Sequence, residues 1–366
     1  MMSVVALAGA VLAMTWSGDA GPRVVRVENA GLLFTDNQAG VSGVDAGYSV
    51  LMDKDTLWLF GDVFLLHPTD PEKRYVGGVS NAALLTSART ASGLRRYRFV
   101  TDPATGLARQ VIPNLPGEGN ETRLWPAGGW YDARARRVYL YWARIRTTGG
   151  GGPFDFRLEG HGLAAADASE PDRIRFERLK SEHGDELWWP NADGKPVFGA
   201  AVVRGPEARP RYLYVVGVEE RQGKKIGKLA RVAPESVAKS GAYEYFSGSP
   251  DHPTWSADPS QSADIAGLAD FPSELSVAYN RYLGGYLAVH SVGIADRIRL
   301  SLADNPWGPY RQIAEIGAPH RAFEKAFCYA GKEHPELAEQ GGRVIYITYV
   351  DSQRYWLQML RVTFER

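Results

Sequence analysis

The chain has 366 residues, of which 44% are hydrophobic and 23% charged, a composition typical of a soluble globular protein with a sizeable core. Its 42 basic and 42 acidic residues balance, so net charge gives no reason to expect nucleic acid or an anionic membrane as a partner. The single cysteine, Cys328, excludes an intramolecular disulfide and a metal site built from several cysteines.

The N-terminal segment, residues 1–20, is apolar and about as long as a signal peptide, with small residues near Ala20. It has no basic residue before its apolar part, so a buried first strand is the alternative. No later stretch has the ~18 to 20 uninterrupted apolar residues that crossing a bilayer requires. The sequence therefore predicts a secreted or periplasmic monomer without a membrane span, in which residues 21–366 form one domain.

The first hairpin is predicted from residues 48–52 and 56–60, two short strands on either side of a polar turn. Asp45 precedes the first strand and Asp62 follows the second. Because a hairpin brings its outer ends together, we expect the two carboxylates to lie side by side. The alternative is that both aspartates cap turns by binding backbone amides. Two facing carboxylates are the minimal equipment for hydrolysing a glycosidic bond.

A pattern of four short strands recurs along the chain at spacings of about 60 to 80 residues, the signature of a propeller. The predicted central strands are residues 57–62, 138–145, 212–220, 285–291 and 344–350. The predicted outer pairs are residues 81–99, 162–179, 228–246 and 297–313, with a truncated copy at 357–364. We expect residues 23–34 to complete the fifth module, and only a helical turn or two at residues 335–340. The predicted fold is all-β, a five-bladed β-propeller of four-stranded antiparallel blades.

Polar residues at the start of each blade's inner strand are expected to converge on a central funnel. The candidates are Asp45, Glu121, Glu274 and Glu324. Three tryptophans near prolines, Trp125, Trp188 and Trp189, are candidate stacking platforms for sugar rings, or else they pack the blades. His334, on a loop of the fifth module, could also face the funnel.

Signatures of other chemistries are missing from the sequence. The histidines show no zinc-binding spacing, and no G-x-S-x-G elbow anchors a serine nucleophile. No P-loop and no basic stripe for nucleic acid is present. We therefore predict neither a metal site nor a cofactor.

Several segments resemble a bacterial family of secreted five-bladed propellers, long catalogued as a domain of unknown function, that includes endo-acting D-arabinanases. The matching segments are 43–49 (GVDAGYS), 57–62 (LWLFGD), 124–126 (LWP), 198–201 (FGAA), 229–232 (LARV), 276–286 (SVAYNRYLGGY), 328–337 (CYAGKEHPEL) and 346–349 (YITY). The resemblance implies that Asp45 and Asp62 are the catalytic pair. Tyr279 and Tyr329, within matching segments, join the candidates for substrate binding.

The sequence thus predicts a glycoside hydrolase that cleaves a furanose-rich, arabinan-like polysaccharide or oligosaccharide. One carboxylic acid would protonate the leaving oxygen, and the other would activate water or attack the anomeric carbon. Two alternatives remain open: a non-catalytic propeller that binds glycan or protein, and a polysaccharide lyase using Tyr329, Lys325 or His334 as its base.

Overall fold

The computed structural model describes residues 21–67, 70, 72, 74–87, 89–150, 152, 154–271, 274–317 and 326–366. The predicted N-terminal signal segment, Glu324 and Lys325 lie outside the described residues. Within the described ranges, secondary structure consists of β-strands and short 3₁₀ turns.

The strands are numbered in chain order. They are β1 (Arg23–Leu32), β2 (Val41–Leu51), β3 (Thr56–Leu66), β4 (Tyr75–Val79), β5 (Ala82–Thr86), β6 (Tyr97–Phe99), β7 (Thr122–Asp132), β8 (Arg137–Thr147), β9 (Phe156–Asp167), β10 (Glu177–Leu179), β11 (Trp189–Pro190), β12 (Val197–Val203), β13 (Leu213–Arg221), β14 (Lys224–Val232), β15 (Glu244–Phe246), β16 (Trp255–Ser256), β17 (Ser276–Asn280), β18 (Gly285–Ser291), β19 (Arg297–Ala303), β20 (Arg311–Gly317), β21 (Cys328–Glu333), β22 (Val344–Asp351) and β23 (Trp356–Glu365).

These strands form five antiparallel sheets, the blades of a propeller. Blade one is β2-β3-β5-β6, blade two β7-β8-β9-β10, blade three β12-β13-β14-β15-β16, blade four β17-β18-β19-β20 and blade five β21-β22-β23-β1. The predicted five-bladed architecture of four-stranded antiparallel blades is confirmed. Three short strands were not predicted: β4 beside β3, β11 beside β9, and β16 at the outer edge of blade three.

Helical structure in the described residues is limited to single 3₁₀ turns. They are Ala91–Arg95, Pro171–Arg173, Pro234–Ser236, Ser240–Ala242, Pro259–Gln261, Pro335–Leu337 and Gln340–Gly342. The predicted turn or two at residues 335–340 corresponds to the last pair. None of these elements has the length and apolar character that a membrane-crossing helix needs.

The ring is closed by β1, which pairs with β23 from Arg23 opposite Glu365 to Leu32 opposite Gln358. Val24 and Phe364 are buried in this pairing, and Arg23 forms a 2.7 Å ion pair with Glu365. Without β1, the last strand of blade five would expose a row of unpaired backbone groups. The predicted closing strand is therefore confirmed.

The inner strands of four blades bulge as they pass the ring axis. The pairing register shifts within β2, β7, β12 and β21. A bulge bends its strand and re-aims the local side chains. A cavity on the axis is lined by residues of all five inner strands or the residues beside them, including Tyr48, Gly128, Ala201, Ser276 and Lys332. The bulges lie next to this axis, where they aim side chains at the site described below.

Candidate active site

A register shift in the β2–β3 ladder places Asp45 beside Asp62. In the ladder Val44 pairs with Val63 and Ala46 with Phe60, so Asp45 alone faces the two-residue stretch formed by Gly61 and Asp62. Gly61 leaves room for the carboxylate, since a Cβ at this position would overlap Oδ1 of Asp45. The hairpin geometry expected from the sequence thus brings the two aspartates together.

Asp45 accepts two hydrogen bonds from blade five. The hydroxyl of Tyr355 donates to Oδ2 at 2.8 Å, and that of Tyr329 donates to the same atom at 3.2 Å. Burial, followed by the negative charges of Asp62 and Glu274, raises the pKa of Asp45 to about 8, although both tyrosine hydrogen bonds oppose the rise. A carboxyl group in this environment holds a proton at neutral pH.

Asp62 lies beside a cation and an indole from blade two. Its Oδ1 is 4.0 Å from a guanidinium nitrogen of Arg123. Burial raises the pKa of Asp62, and Arg123 and Trp125 oppose that rise. Oδ1 of Asp62 and the indole N–H of Trp125 are both buried without a partner in hydrogen-bonding geometry among the described residues. The site therefore has unused hydrogen-bonding capacity on one of its two aspartates.

A third carboxylate reaches the same region from blade four. Glu274, just before β17, is close enough to raise the pKa of Asp45 and of Tyr48. Its charge also partly offsets the effect of burial on two lysines, Lys225 and Lys332, whose pKa values burial lowers. Three carboxylates from two blades therefore share one half-buried region with few cations.

This arrangement suits proton transfer. Two adjacent carboxyl groups whose environments push their pKa values apart can divide the roles of acid and base. Burial favours the protonated form of both aspartates, like charge adds to this effect at Asp45, and Arg123 opposes it at Asp62. Among the described residues, no group of three His, Cys, Asp or Glu is placed to hold a metal ion.

Trp125 lies next to the aspartates, but Trp189 does not. Trp189 is 4% exposed, and its indole N–H donates to the hydroxyl of Tyr245 at 2.9 Å. Its ring packs against Tyr141 and Phe198, so it packs blades two and three together and offers no face to a sugar. Of the two roles predicted for Trp189, stacking on a sugar or packing between blades, its contacts in the structure are those of packing.

His334 is also buried away from the aspartates. Its two ring nitrogens each lie 2.7 Å from a hydroxyl, of Ser49 and of Thr348, and its ring lies 4.3 Å from that of Trp58. Burial lowers the pKa of His334 to about 3, so the ring is neutral. A histidine with both nitrogens occupied packs the interior and does not face the funnel, contrary to expectation.

The remaining predicted residues lie at separate places. Tyr279 is near the far end of β17 from Glu274, with its ring 5.3 Å from that of Tyr286, so it is not part of the carboxylate site. Glu121 is an exposed residue that pairs with Arg146 at 3.4 Å. Tyr329 is at the site, as a donor to Asp45.

Sequence reasoning missed three residues of the site: Arg123, Lys332 and Tyr355. Arg123 immediately precedes the Leu-Trp-Pro segment, and Lys332 lies inside another matching segment, so proximity to these motifs was the available signal. Tyr355 lies in the turn between β22 and β23 and has a positive φ of 51°. Nothing in the local sequence distinguishes it from an ordinary turn residue.

Solved structures share the fold, among them two of an enzyme from Xanthomonas citri. The crystal structure of the GH43_1 enzyme from Xanthomonas citri is 14% identical, with a TM-score of 0.51, covering 92% of this chain and 90% of that one. The same enzyme complexed with xylose is 13% identical, with a TM-score of 0.50, covering 91% and 90%. At this level of identity the likeness concerns the fold alone.

No protein of curated function matches the chain significantly. The sequence profile of a family does match, and its family is described as "Domain of unknown function (DUF4185)". The match extends over residues 32–361, nearly all of the propeller, so the chain belongs to this family, as its motifs had indicated.

Proposed function

We propose that the protein is a glycoside hydrolase in which Asp45 is the general acid and Asp62 is the general base or nucleophile. The single observation that carries the proposal is the pair itself. Two half-buried carboxylates face each other across one hairpin, and both have raised pKa values. A raised pKa allows a carboxylic acid to deliver a proton to a leaving glycosidic oxygen near neutral pH.

The assignment of roles follows from the neighbours. Among the described residues, the hydrogen-bond partners of Asp45 are two neutral hydroxyls, and two other carboxylates raise its pKa. Asp62 has the Arg123 guanidinium nearby, which favours its ionised form. An ionised Asp62 would activate water or attack the anomeric carbon while Asp45 protonates the departing oxygen.

The substrate class is the finer part of the proposal. We propose a furanose-rich, arabinan-like polysaccharide, with Trp125 and Glu274 holding sugar units beside the pair. In the structure Trp125 meets Phe156 edge to face, with ring centroids 5.0 Å apart, so an aromatic surface adjoins Asp62. The same fold in Xanthomonas citri accommodates xylose, which supports a sugar in this fold without deciding which one.

The experiment is an assay of the purified protein on arabinans, galactans, fructans and glucuronate-containing polymers, with product analysis by chromatography. We expect reducing ends to appear from a furanose-rich polymer. Unsaturated products absorbing in the ultraviolet would instead show a lyase. Tight binding of a polymer without any cleavage would show a glycan-binding propeller, and either result would overturn the proposal.

We also propose that the protein acts outside the cytoplasm, because its proposed substrate is a polymer too large to cross a membrane freely. The apolar segment at residues 1–20 is the sequence feature that supports export. N-terminal sequencing of protein recovered from the medium or periplasm of an expressing bacterium would test this. Retention of the whole protein in the cytoplasm with residues 1–20 intact would contradict it.

A further inference from the structure

Lys332 is a buried lysine at the floor of the carboxylate site. It lies on β21 and is 2% exposed. Its ammonium donates to the backbone carbonyls of Ala46 at 2.6 Å and of Ala330 at 2.7 Å, and it faces the ring of Tyr48 at 4.7 Å. Among the described residues, no carboxylate lies within ion-pair distance of it. The ammonium thus joins blade one to blade five through backbone atoms.

The two carbonyls belong to residues in the same unusual conformation. Ala46 has φ 61° and Ala330 has φ 58°, the left-handed region that disfavours alanine by about 1 kcal/mol. Ala46 lies between two register shifts of the β2–β3 ladder and Ala330 lies within the shift between Tyr329 and Lys332, and each alanine directly follows a residue of the site, Asp45 or Tyr329. One ammonium therefore holds both bulges where Asp45 and its donor Tyr329 meet.

A second buried lysine, in blade three, differs from Lys332 because its charge is paired directly with carboxylates. Lys228, 4% exposed in blade three, lies 2.8 Å from a carboxylate oxygen of Glu219 and 2.9 Å from one of Asp264. Its charge is neutralised directly. Lys332 has no such contact within the described part of the chain, so its charge acts at longer range on the carboxylates of the site.

We propose that Lys332 is a positioning residue for the catalytic pair, which clamps the bulges of β2 and β21 together and whose positive charge favours the ionised form of Asp45. This rests on the proposed function and deepens it. Asp45 must become ionised each time it gives up its proton, and the positive charge of Lys332 would stabilise that ionised form. Consistent with this coupling, Asp45 and Glu274 raise the pKa of Lys332, whereas burial, the larger effect, lowers it to about 8.

The titration of Asp45 is the readout that does not depend on a substrate. Several groups bear on it from the elements packed around it. The pKa of Asp45 is shifted by Asp62 from β3, Glu274 before β17, Tyr329 from β21 and Tyr355 before β23. The charge of Asp45 in turn acts to raise the pKa values of Tyr48 from β2 and Lys332 from β21, and Arg123 from β7 lies beside Asp62. A variant of Lys332 leaves all the other groups in place.

We would label aspartate with ¹³C at the carboxyl carbon and follow its pH titration by NMR, identifying Asp45 from the signal lost in Asp45→Asn. In Lys332→Met, we expect the pKa of Asp45 to rise by about one unit or more, the usual effect of losing a nearby opposite charge. Lys228→Met, the matched control, should leave the titration of Asp45 unchanged. An unchanged titration in Lys332→Met would overturn the proposal even if hydrolysis had never been detected.

Lys332→Gln distinguishes the effect of the hydrogen bonds from the effect of the charge, because glutamine has two N–H donors but carries no charge. On the polymer that the protein hydrolyses, turnover of Lys332→Met should fall about 10- to 100-fold, since small misplacements of reacting groups have effects of this size. Lys332→Gln should recover part of that loss while keeping the raised pKa of Asp45. Equal turnover in the Lys332 and Lys228 variants would contradict the positioning role.

If the Lys332 variants do not fold, the same coupling can be measured through the pKa of Lys332 in a variant of Asp45. Linkage between two titrating sites is reciprocal. With ¹³C at the ε-carbon of lysine, the pKa of Lys332 should fall in Asp45→Asn relative to the unsubstituted protein, because a neighbouring negative charge has been removed. No change in that pKa would overturn the proposal.

Discussion

Two clusters of acidic residues in the described part of the chain have opposite electrostatics. One is the funnel cluster, defined as Asp45, Asp62 and Glu274. The other is the blade-two cluster, an ion-pair network on that blade and its connections. It consists of Glu118, Arg144, Arg146, Glu159, Arg178 and Glu186.

The carboxylates of the blade-two cluster are matched by guanidinium groups. Glu118 accepts two 2.8 Å hydrogen bonds from Arg178, and Glu159 accepts one of 2.7 Å from Arg146. Burial raises the pKa of Glu118, but its hydrogen bonds and two arginines outweigh burial, so its pKa is lowered. The hydrogen bond from Arg146 is the main reason that the pKa of Glu159 is lowered.

The funnel cluster has one guanidinium at 4.0 Å and a buried ammonium that binds carbonyls instead. Burial therefore prevails, and the pKa values of Asp45 and Asp62 rise. Burial is the largest cause of the rise at both aspartates, whereas in the blade-two cluster the nearby arginines outweigh it, so burial and close cations together decide whether the pKa of an acid in this fold is raised or lowered.

The largest effect is expected on turnover. Asp45→Asn and Asp62→Asn should each lower kcat by about 10²- to 10⁴-fold, the range typical of losing a general acid or base. Glu159→Gln, an equivalent change in the blade-two cluster, should leave kcat within about twofold, because Glu159 belongs to a structural ion pair. Steady-state kinetics with circular dichroism as the folding check would measure this. Near-normal turnover in both aspartate variants would make the pair structural.

The next effect is on substrate affinity. Trp125→Ala should raise KM by about 3- to 10-fold while changing kcat less, because a stacking contact acts on ground and transition states alike. Trp189→Phe is the matched comparison, since Trp189 is buried in packing and should affect stability more than KM. Loss of turnover alone in Trp125→Ala would contradict a binding role.

The third effect is a shift in pH dependence. A general acid must be protonated, so kcat/KM should fall as pH rises through about 8, the pKa of Asp45. The Tyr355 hydroxyl lowers that pKa, so Tyr355→Phe should move this alkaline limb to higher pH by up to about one unit. A pH–rate profile of both proteins decides it, and an unshifted or downward-shifted limb would exclude Asp45 as the group responsible.

The smallest effect is on thermal stability, and it should have opposite signs in the two clusters. The raised pKa of Asp45 means that its contribution to stability is retained below its usual pKa and declines as pH rises towards 8. The change in Tm that Asp45→Asn causes should therefore be about 2 to 5 °C more positive at pH 8 than at pH 4. The lowered pKa of Glu159 has the reverse consequence, so Glu159→Gln should lower Tm by about 1 °C at pH 8 and less at pH 4. Calorimetry of both variants at pH 4 and pH 8 would measure this. If the change in Tm depended on pH in the same way in both variants, the prediction would be contradicted.

The strands could be predicted from the sequence because each module repeats the same alternation of apolar residues, and a propeller of repeated blades buries that repeat. The closing strand and the pairing of Asp45 with Asp62 were accessible for the same reason, since both follow from local hairpin and ring geometry. The short strands β4, β11 and β16 were missed because two to five residues carry too little pattern.

The donors to Asp45 were harder to find. Tyr329 was predicted to bind substrate, but its bond to Asp45 joins residues 284 positions apart, and that of Tyr355 joins residues 310 apart. Such contacts depend on how blade five meets blade one, which no local period encodes. The sequence did not indicate that the rings of Trp189 and His334 are buried, because residue type alone does not show whether a ring is covered.

The closing strand makes the order of synthesis matter for chemistry. Asp45 and Asp62 are made among the first residues of the propeller, whereas Tyr329, Lys332 and Tyr355 are made near its end. We therefore expect the proposed site to assemble only after blade five has packed against blade one, because the hydrogen-bond donors to Asp45 come from blade five. A circular permutant that joins residue 366 to residue 21 and opens the ring between blades two and three would uncouple the two events, and its activity would report on site assembly independently of ring closure.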